Sequence, residues 1–424
     1  LMVATFLTLF VLPVLYIIFE KGFTFKTKKP GSITTAVVLF LACCSIQKVN
    51  AQVPITLNAA IDTAFKNNLT VKNEILNTEY QKKLKAAAVN IPQTNINGEY
   101  GQINSFYNDN KIGVSQAFSF PTVYTKQKAL QNEYLKSSLL NVGLRKAELK
   151  RQVSDVFYTL TYLQQKQAIL LQTDSVYATF LEKVNLRFKT GESNILEKAT
   201  TETQRGQIAI QLSQVQQDIE ISQLQFQLLL NTLTVFKPAV NNLKMNNPVS
   251  LDSALTNNPQ LSILQQQKNV ASANTNLERS KLLPDITIGY NNQSIQGTGA
   301  NDVFYPKSSR FSSVELGIGV PIFFGPQRAR INASRTLELI GESNYRIGLQ
   351  TLRFNYQSAI RQYQLQLKNV QYFEETALKN AEIITKTANQ QFANGDINFL
   401  EWTMLINNAI TIRSSYADAV RELN

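Results

Sequence analysis

Apolar positions along the chain switch between two periods, and they do so twice in the same order. Leu149, Val153, Val156, Leu160 and Leu163 keep a four-three spacing, which puts them on one stripe of a helix. Leu349, Leu352, Tyr356, Ala359, Tyr363, Gln366, Val370, Phe373 and Ala377 repeat that rhythm with Gln, Ala and Tyr diluting the seam. The pattern predicts coiled-coil helices of roughly 60 residues over about 123–188 and 327–392, each reaching roughly 90 Å. Shorter partners are expected over 194–231 and 398–423. Ahead of each long helix the period drops to two. Ile112, Val114, Phe118 and Phe120 oppose Gly113, Ser115, Ala117 and Ser119; Val314, Leu316, Ile318, Val320 and Ile322 oppose Glu315, Gly317, Gly319 and Pro321. Strand pairs are predicted near 94–102 with 111–120 and near 285–294 with 312–322, each preceded by a helix ending at Pro92 or Pro284.

The halves are copies. Ile61-Asp-Thr-Ala-Phe-Lys-Asn-Asn68 recurs as Leu251-Asp-Ser-Ala-Leu-Thr-Asn-Asn258, and Ile91-Pro92 recurs as Leu283-Pro284. Arg187-Phe-Lys-Thr-Gly-Glu-Ser-Asn-Ile-Leu-Glu197 recurs as Gln391-Phe-Ala-Asn-Gly-Asp-Ile-Asn-Phe-Leu-Glu401. Three matches in one order define a tandem duplication, with repeats at 52–245 and 249–424 joined through Lys237 to Pro248.

Residues 1–20 are almost wholly apolar, and Lys21, Lys26, Lys28 and Lys29 follow. Residues 21–51 then read as a basic flank and a signal-like apolar run ending at Val49-Asn50-Ala51, so export with cleavage after Ala51 is expected. Cys43 offers a poor lipidation site as the alternative. Residues 5–16 resemble the end of the last membrane helix of heavy-metal resistance-nodulation-division (RND) pumps, which fits a fusion or overlap of a pump gene with this one.

Composition then removes functions. There is no histidine, and the two cysteines, Cys43 and Cys44, both lie in the leader. The body therefore has no His or Cys metal site, thiol nucleophile, His-based triad or disulfide. No catalytic residue and no cofactor is expected. The net charge of +12 is spread along the chain, without the single basic block of a nucleic-acid binder.

Four strands do not close a barrel, for which about eight are needed, and open hairpin edges are not tolerated in lipid. Three chains would supply twelve strands and a helical wall. With its duplicated hairpins and paired Phe-x-x-Gly turns, the stretch from about 55 to 424 resembles the TolC-like outer-membrane efflux proteins. The fold class this implies is mainly α with a small β part: a trimer with a 12-stranded outer-membrane barrel and an α-helical tunnel across the periplasm of a Gram-negative bacterium. The implied partners are two further copies, a periplasmic adaptor, an inner-membrane RND pump and outer-membrane lipid.

The resemblance places Gly191 and Gly395 at the periplasmic tip, where the adaptor docks, although glycine helix caps alone explain both. It makes Glu401, with Glu197 as its repeat counterpart, a candidate tunnel gate that three copies would turn into an acidic ring. The competing reading is that Asn194-x-x-Glu197 and Asn398-x-x-Glu401 are capping boxes. Met404 stands where some relatives carry a second acid. Ile112, Val114, Phe118, Val314, Leu316 and Ile318 are assigned to lipid contact, against a soluble sandwich core. Heavy-metal cations are the first substrate class, drugs or detergents the second. A coiled-coil adaptor and a carboxylate-based hydrolase are the rival functions.

Overall fold

The computed structural model describes residues 53–239, 244 and 257–424. The leader, Cys43, the Ala51 cleavage site, most of the inter-repeat linker and the repeat copy at 251–256 lie outside the described residues. The described chain begins with β1 (Val53–Ile55), α1 (Leu57–Asn67) and α2 (Leu69–Ala86), then β2 (Asn95–Gly101) and β3 (Asp109–Phe118). The first helical hairpin is α3 (Pro121–Lys189) with α4 (Ile195–Leu230), followed by β4 (Phe236–Pro238). After α5 (Pro259–Ser280) come β5 (Asp285–Ser294), the short β6 (Gly297–Thr298) and β7 (Phe304–Tyr305), and β8 (Arg310–Gly319). The second helical hairpin is α6 (Gly325–Tyr372), a π-helical turn at Phe373–Ala377, α7 (Leu378–Asn394) and α8 (Phe399–Leu423).

The long helices start where proline can be accommodated, in the first turn, with Pro121 and Pro326 in place of orphan N–H donors. The α3 seam is as predicted: Leu149, Val153, Leu160 and Leu163 are buried and Val156 packs against them. The second seam holds less of its length. Ala359 is exposed. Phe373 and Ala377 belong to the π turn, so the expected continuous helix is interrupted there. The wider turn carries Glu374, which accepts from the Tyr416 hydroxyl on α8 at 3.2 Å and pairs with Lys244 at 3.5 Å.

Other boundaries also move. The helices before the strands stop at Ala86 and Ser280, ahead of Pro92 and Pro284. Tight i−3 bonds finish them, from Ala88 N–H to the Lys85 carbonyl and from Leu283 N–H to the Ser280 carbonyl, and Pro284 only hands the chain to β5. β3 ends at Phe118, where the Ser119 N–H turns to the Tyr124 hydroxyl at 3.0 Å, and β8 ends at Gly319, just before Pro321, which cannot extend a ladder. Val320 and Ile322 therefore lie beyond the sheet.

The two strand pairs form one antiparallel sheet in the order β2-β3-β5-β8, leaving β2 and β8 as open edges. Directly opposed residues share a face. Ile96, Val114, Tyr290 and Val314 form one row, and Phe118, Ile286 and Ile318 another. The parallel pair β1–β4 ties the start of the first repeat to its end, beside the main core of Val153, Phe157, Leu160, Phe226 and Leu230.

Candidate functional site

The two Phe-x-x-Gly turns fold alike. Gly191 (φ 81°) and Gly395 (φ 82°) occupy the left-handed region that lets each helix end. Glu192 N–H reaches back to the Arg187 carbonyl at 2.8 Å, and Asp396 N–H to the Gln391 carbonyl at 2.9 Å, the six-to-one bond of a Schellman cap. The next helix opens with an asparagine whose side chain accepts from the N3 backbone, Asn194 from Glu197 and Asn398 from Glu401, each at 2.9 Å.

The glutamates then diverge. Glu401 completes a reciprocal box by accepting from Asn398 N–H at 2.9 Å, and its residue stays exposed. The expected box at Glu197 is only half formed. Its carboxylate accepts from the Ser193 hydroxyl and lies 3.6 Å from the Arg187 guanidinium, with the side chain mostly buried. A serine one residue before the cap and an arginine on the facing helix draw it away; the second repeat has Ile397 and Gln391 there. Met404 sits one turn beyond Glu401, exposed beside Leu400.

What joins the two turns is aromatic. Phe180 on α3 stacks on Trp402 at 4.5 Å and on Phe399 at 4.9 Å, both from α8, and touches Phe392 on α7 at 5.3 Å. Stacked rings at these spacings contribute beyond their buried area. Trp402 Nε1 donates to Asn389 Oδ1 at 2.9 Å, satisfying the one polar atom of a buried side chain. One helical turn along α3, Tyr177 is fully buried and donates to Asn407 Oδ1 at 2.7 Å. Burial pushes its phenol up to about 12. A cleft of about 1000 Å³ lies between the hairpin ends, with Lys183, Arg187 and Asn398 among its walls. The sequence reading missed this cluster, although the chain's single tryptophan adjoins Glu401. The repeat also concealed a difference: Phe392 joins the cluster, whereas Phe188 is more exposed and carries the Lys198 ammonium over its ring.

At the other end, the sheet faces differ in chemistry. Val314, Leu316 and Ile318 are 71%, 77% and 74% exposed, and Ile112 and Val114 are also exposed, while Phe118 is half-buried. The expected lipid-contact residues therefore share one face, which the protomer leaves largely uncovered. The opposite face carries Asn97, Gly113, Ser115, Thr287, Gly289, Asn291 and Glu315. Among the described residues no helix is long and apolar enough to cross a membrane, and no group of His, Cys, Asp and Glu is placed to hold a metal.

Two long helical hairpins and an open, two-faced antiparallel sheet make up the described fold. Residues 250–419 match the family model described as outer membrane efflux protein. The chain is similar in structure to CusC (TM-score 0.70, 16% identity, 87% of this chain and 90% of that one). It is also similar to the CmeC outer membrane channel of Campylobacter jejuni (0.65, 15%, 95% and 89%) and the open-state MtrE outer membrane channel of Neisseria gonorrhoeae (0.68, 14%, 87% and 86%). No curated protein matches by sequence. The chain carries the fold of the TolC-like outer-membrane efflux channels, and its second half matches their family by sequence.

Proposed function

We propose that the protein is the outer-membrane duct of a tripartite RND-type efflux system, a non-enzymatic trimer working with a periplasmic adaptor and an inner-membrane pump. The observation that carries this reading is the division of the four-stranded sheet into an exposed apolar face and a small, polar one. Strands of 10 residues suit a tilted membrane strand. Joining β8 of one copy to β2 of the next preserves the antiparallel alternation, and three copies give twelve strands with no edge left open. Exposed apolar side chains along α6, among them Leu339, Ile347 and Phe354, supply surface for the same assembly.

In this duct Gly191 and Gly395 form the turns at the adaptor-docking end. Glu401 is the better gate candidate of the two glutamates, since its carboxylate is exposed and Glu197 is tied to Ser193 and Arg187. Substrates are heavy-metal cations, the class suggested by the pump-like segment at residues 5–16. The inward sheet positions agree in sign, with Glu99, Asp285 and Glu315 against Lys111. Drugs or detergents are the alternative class for the same fold.

Single-channel conductance of residues 52–424 in a planar bilayer tests this reading. Discrete cation-preferring steps are expected, with selectivity weakened in Glu401→Gln. Steps unchanged by the substitution would return Glu401 to capping alone. Loss of steps even in variants that open the tip would bring the adaptor reading forward.

A further inference from the structure

The outward sheet positions carry one charge. Along the face defined by Val114, Tyr290 and Val314, every charged strand residue except Arg310 has the opposite parity. Arg310 opens β8, four residues or about 13 Å along the strand from Val314, on the loop side of the apolar rows. Its side chain lies across three strands. Nε donates to Asn292 Oδ1 at 2.6 Å, one terminal nitrogen donates to the Asn292 carbonyl at 3.2 Å, and the other donates to Asn110 Oδ1. Asn292 is held in turn by its Nδ2 donating to the Ser312 hydroxyl at 3.0 Å, which also bonds the Tyr290 hydroxyl at 2.8 Å.

Among the described residues no carboxylate pairs with Arg310. Closing the barrel supplies none, because the outward positions of β2 are Ile96, Gly98 and Tyr100. Three of the five guanidinium N–H groups are engaged, and the remainder sit on an exposed residue. A fixed, unneutralised guanidinium at the upper margin of an apolar belt matches phosphate, which it binds with two parallel donors.

Resting on the outer-membrane reading above, we propose that Arg310, with Asn110, Asn292 and Ser312, is a docking site for the phosphate of an outer-leaflet lipid headgroup, one per protomer. The asparagines hold the guanidinium flat against the sheet, so little side-chain freedom is lost on binding.

The test is native mass spectrometry of the full chain released from detergent micelles containing bisphosphorylated lipid A, its dephosphorylated form, or inorganic phosphate alone. Conductance of the same preparations is recorded in parallel. The wild type should retain phosphorylated lipid A about fivefold better than the dephosphorylated form, and Arg310→Gln should lose that preference while Arg310→Lys keeps part of it. Equal retention of both lipid forms by conducting wild-type protein overturns the proposal, whether or not the variants fold. Phosphate alone binding as well as the lipid overturns the headgroup as its source. Wild-type protein that never conducts, even with an opened tip, removes the membrane reading and this proposal with it.

Discussion

Phe180→Ala isolates what holds the two hairpin ends together. Phe180 is 5% exposed and contacts Phe392, Phe399 and Trp402, all from the second hairpin. Truncating a buried aromatic to alanine costs about 3–5 kcal/mol once the unfilled cavity is included. Here the loss falls on a small satellite cluster near the end of helices whose main core lies farther along α3. The expected result is local opening. Backbone amides across 388–406 should exchange hydrogen about two to nearly four orders of magnitude faster, while those around Val153 and Phe157 keep their protection. Hydrogen exchange resolved by peptide reads both regions in one experiment. Unchanged exchange across 388–406 would show that the stacking contributes nothing to cohesion of the tip. Equal loss of protection along all of α3 would show that the cluster is part of the global core, refuting the reasoning from the other side.

Gly395→Ala meets open space at the new Cβ, so only the left-handed backbone counts, and destabilisation of the turn by about 1 kcal/mol is expected in the same exchange measurement. Asn398→Ala removes the cap of α8 and should cost about 1 kcal/mol locally, read as faster exchange of the Glu401 amide. The Glu133 carboxyl is pushed up by burial, but donors from Lys136 and Gln266 outweigh this and leave it below its ordinary 4.5. Its stabilising contribution is present above pH about 4.5 and is lost as pH falls through the lower folded value. Thermal melts between pH 7 and 3 should therefore show less acid sensitivity in Glu133→Gln than in the wild type.

Much of the fold was legible because it rests on periodicity. The long helices, their shorter partners and both strand pairs fall within a few residues of expectation, since heptad and alternating spacings each leave one arrangement that collects the apolar side chains. The internal repeat located both turns for the same reason. The π turn escaped because widening a helix at Phe373 leaves the seam almost in step, so the pattern runs through it unbroken. The aromatic cluster escaped because Phe180 lies more than two hundred residues from its partners Phe392, Phe399 and Trp402, and no local spacing encodes that contact. Arg310 was hidden differently: its outward direction depends on the strand beginning at 310, two residues before the boundary that the alternation suggested.

Duplication gave the two hairpins one plan, and the burial pattern indicates how they have divided its use. Along α3, fourteen residues are buried within the protomer, whereas α6 buries Ile331, Ser334 and Val370. Helices of 69 and 48 residues cannot differ so much through length alone. The difference follows from neighbours: α3 packs against α2, α4, α5 and α8, while α6 meets α5 along its first half, as far as Gly348, and α8. Its middle, around Ile347 and Phe354, keeps large apolar side chains exposed. Such a stripe on a long helix needs a further partner, and in the trimer proposed above the adjacent copy would supply one. The first repeat thus builds the core of the single chain, and the second leaves its long helix little buried within the protomer. The exposed Glu401 and the π turn both lie in that second hairpin. In the proposed trimer, contacts between copies would therefore bear on the half of the molecule that carries the candidate gate.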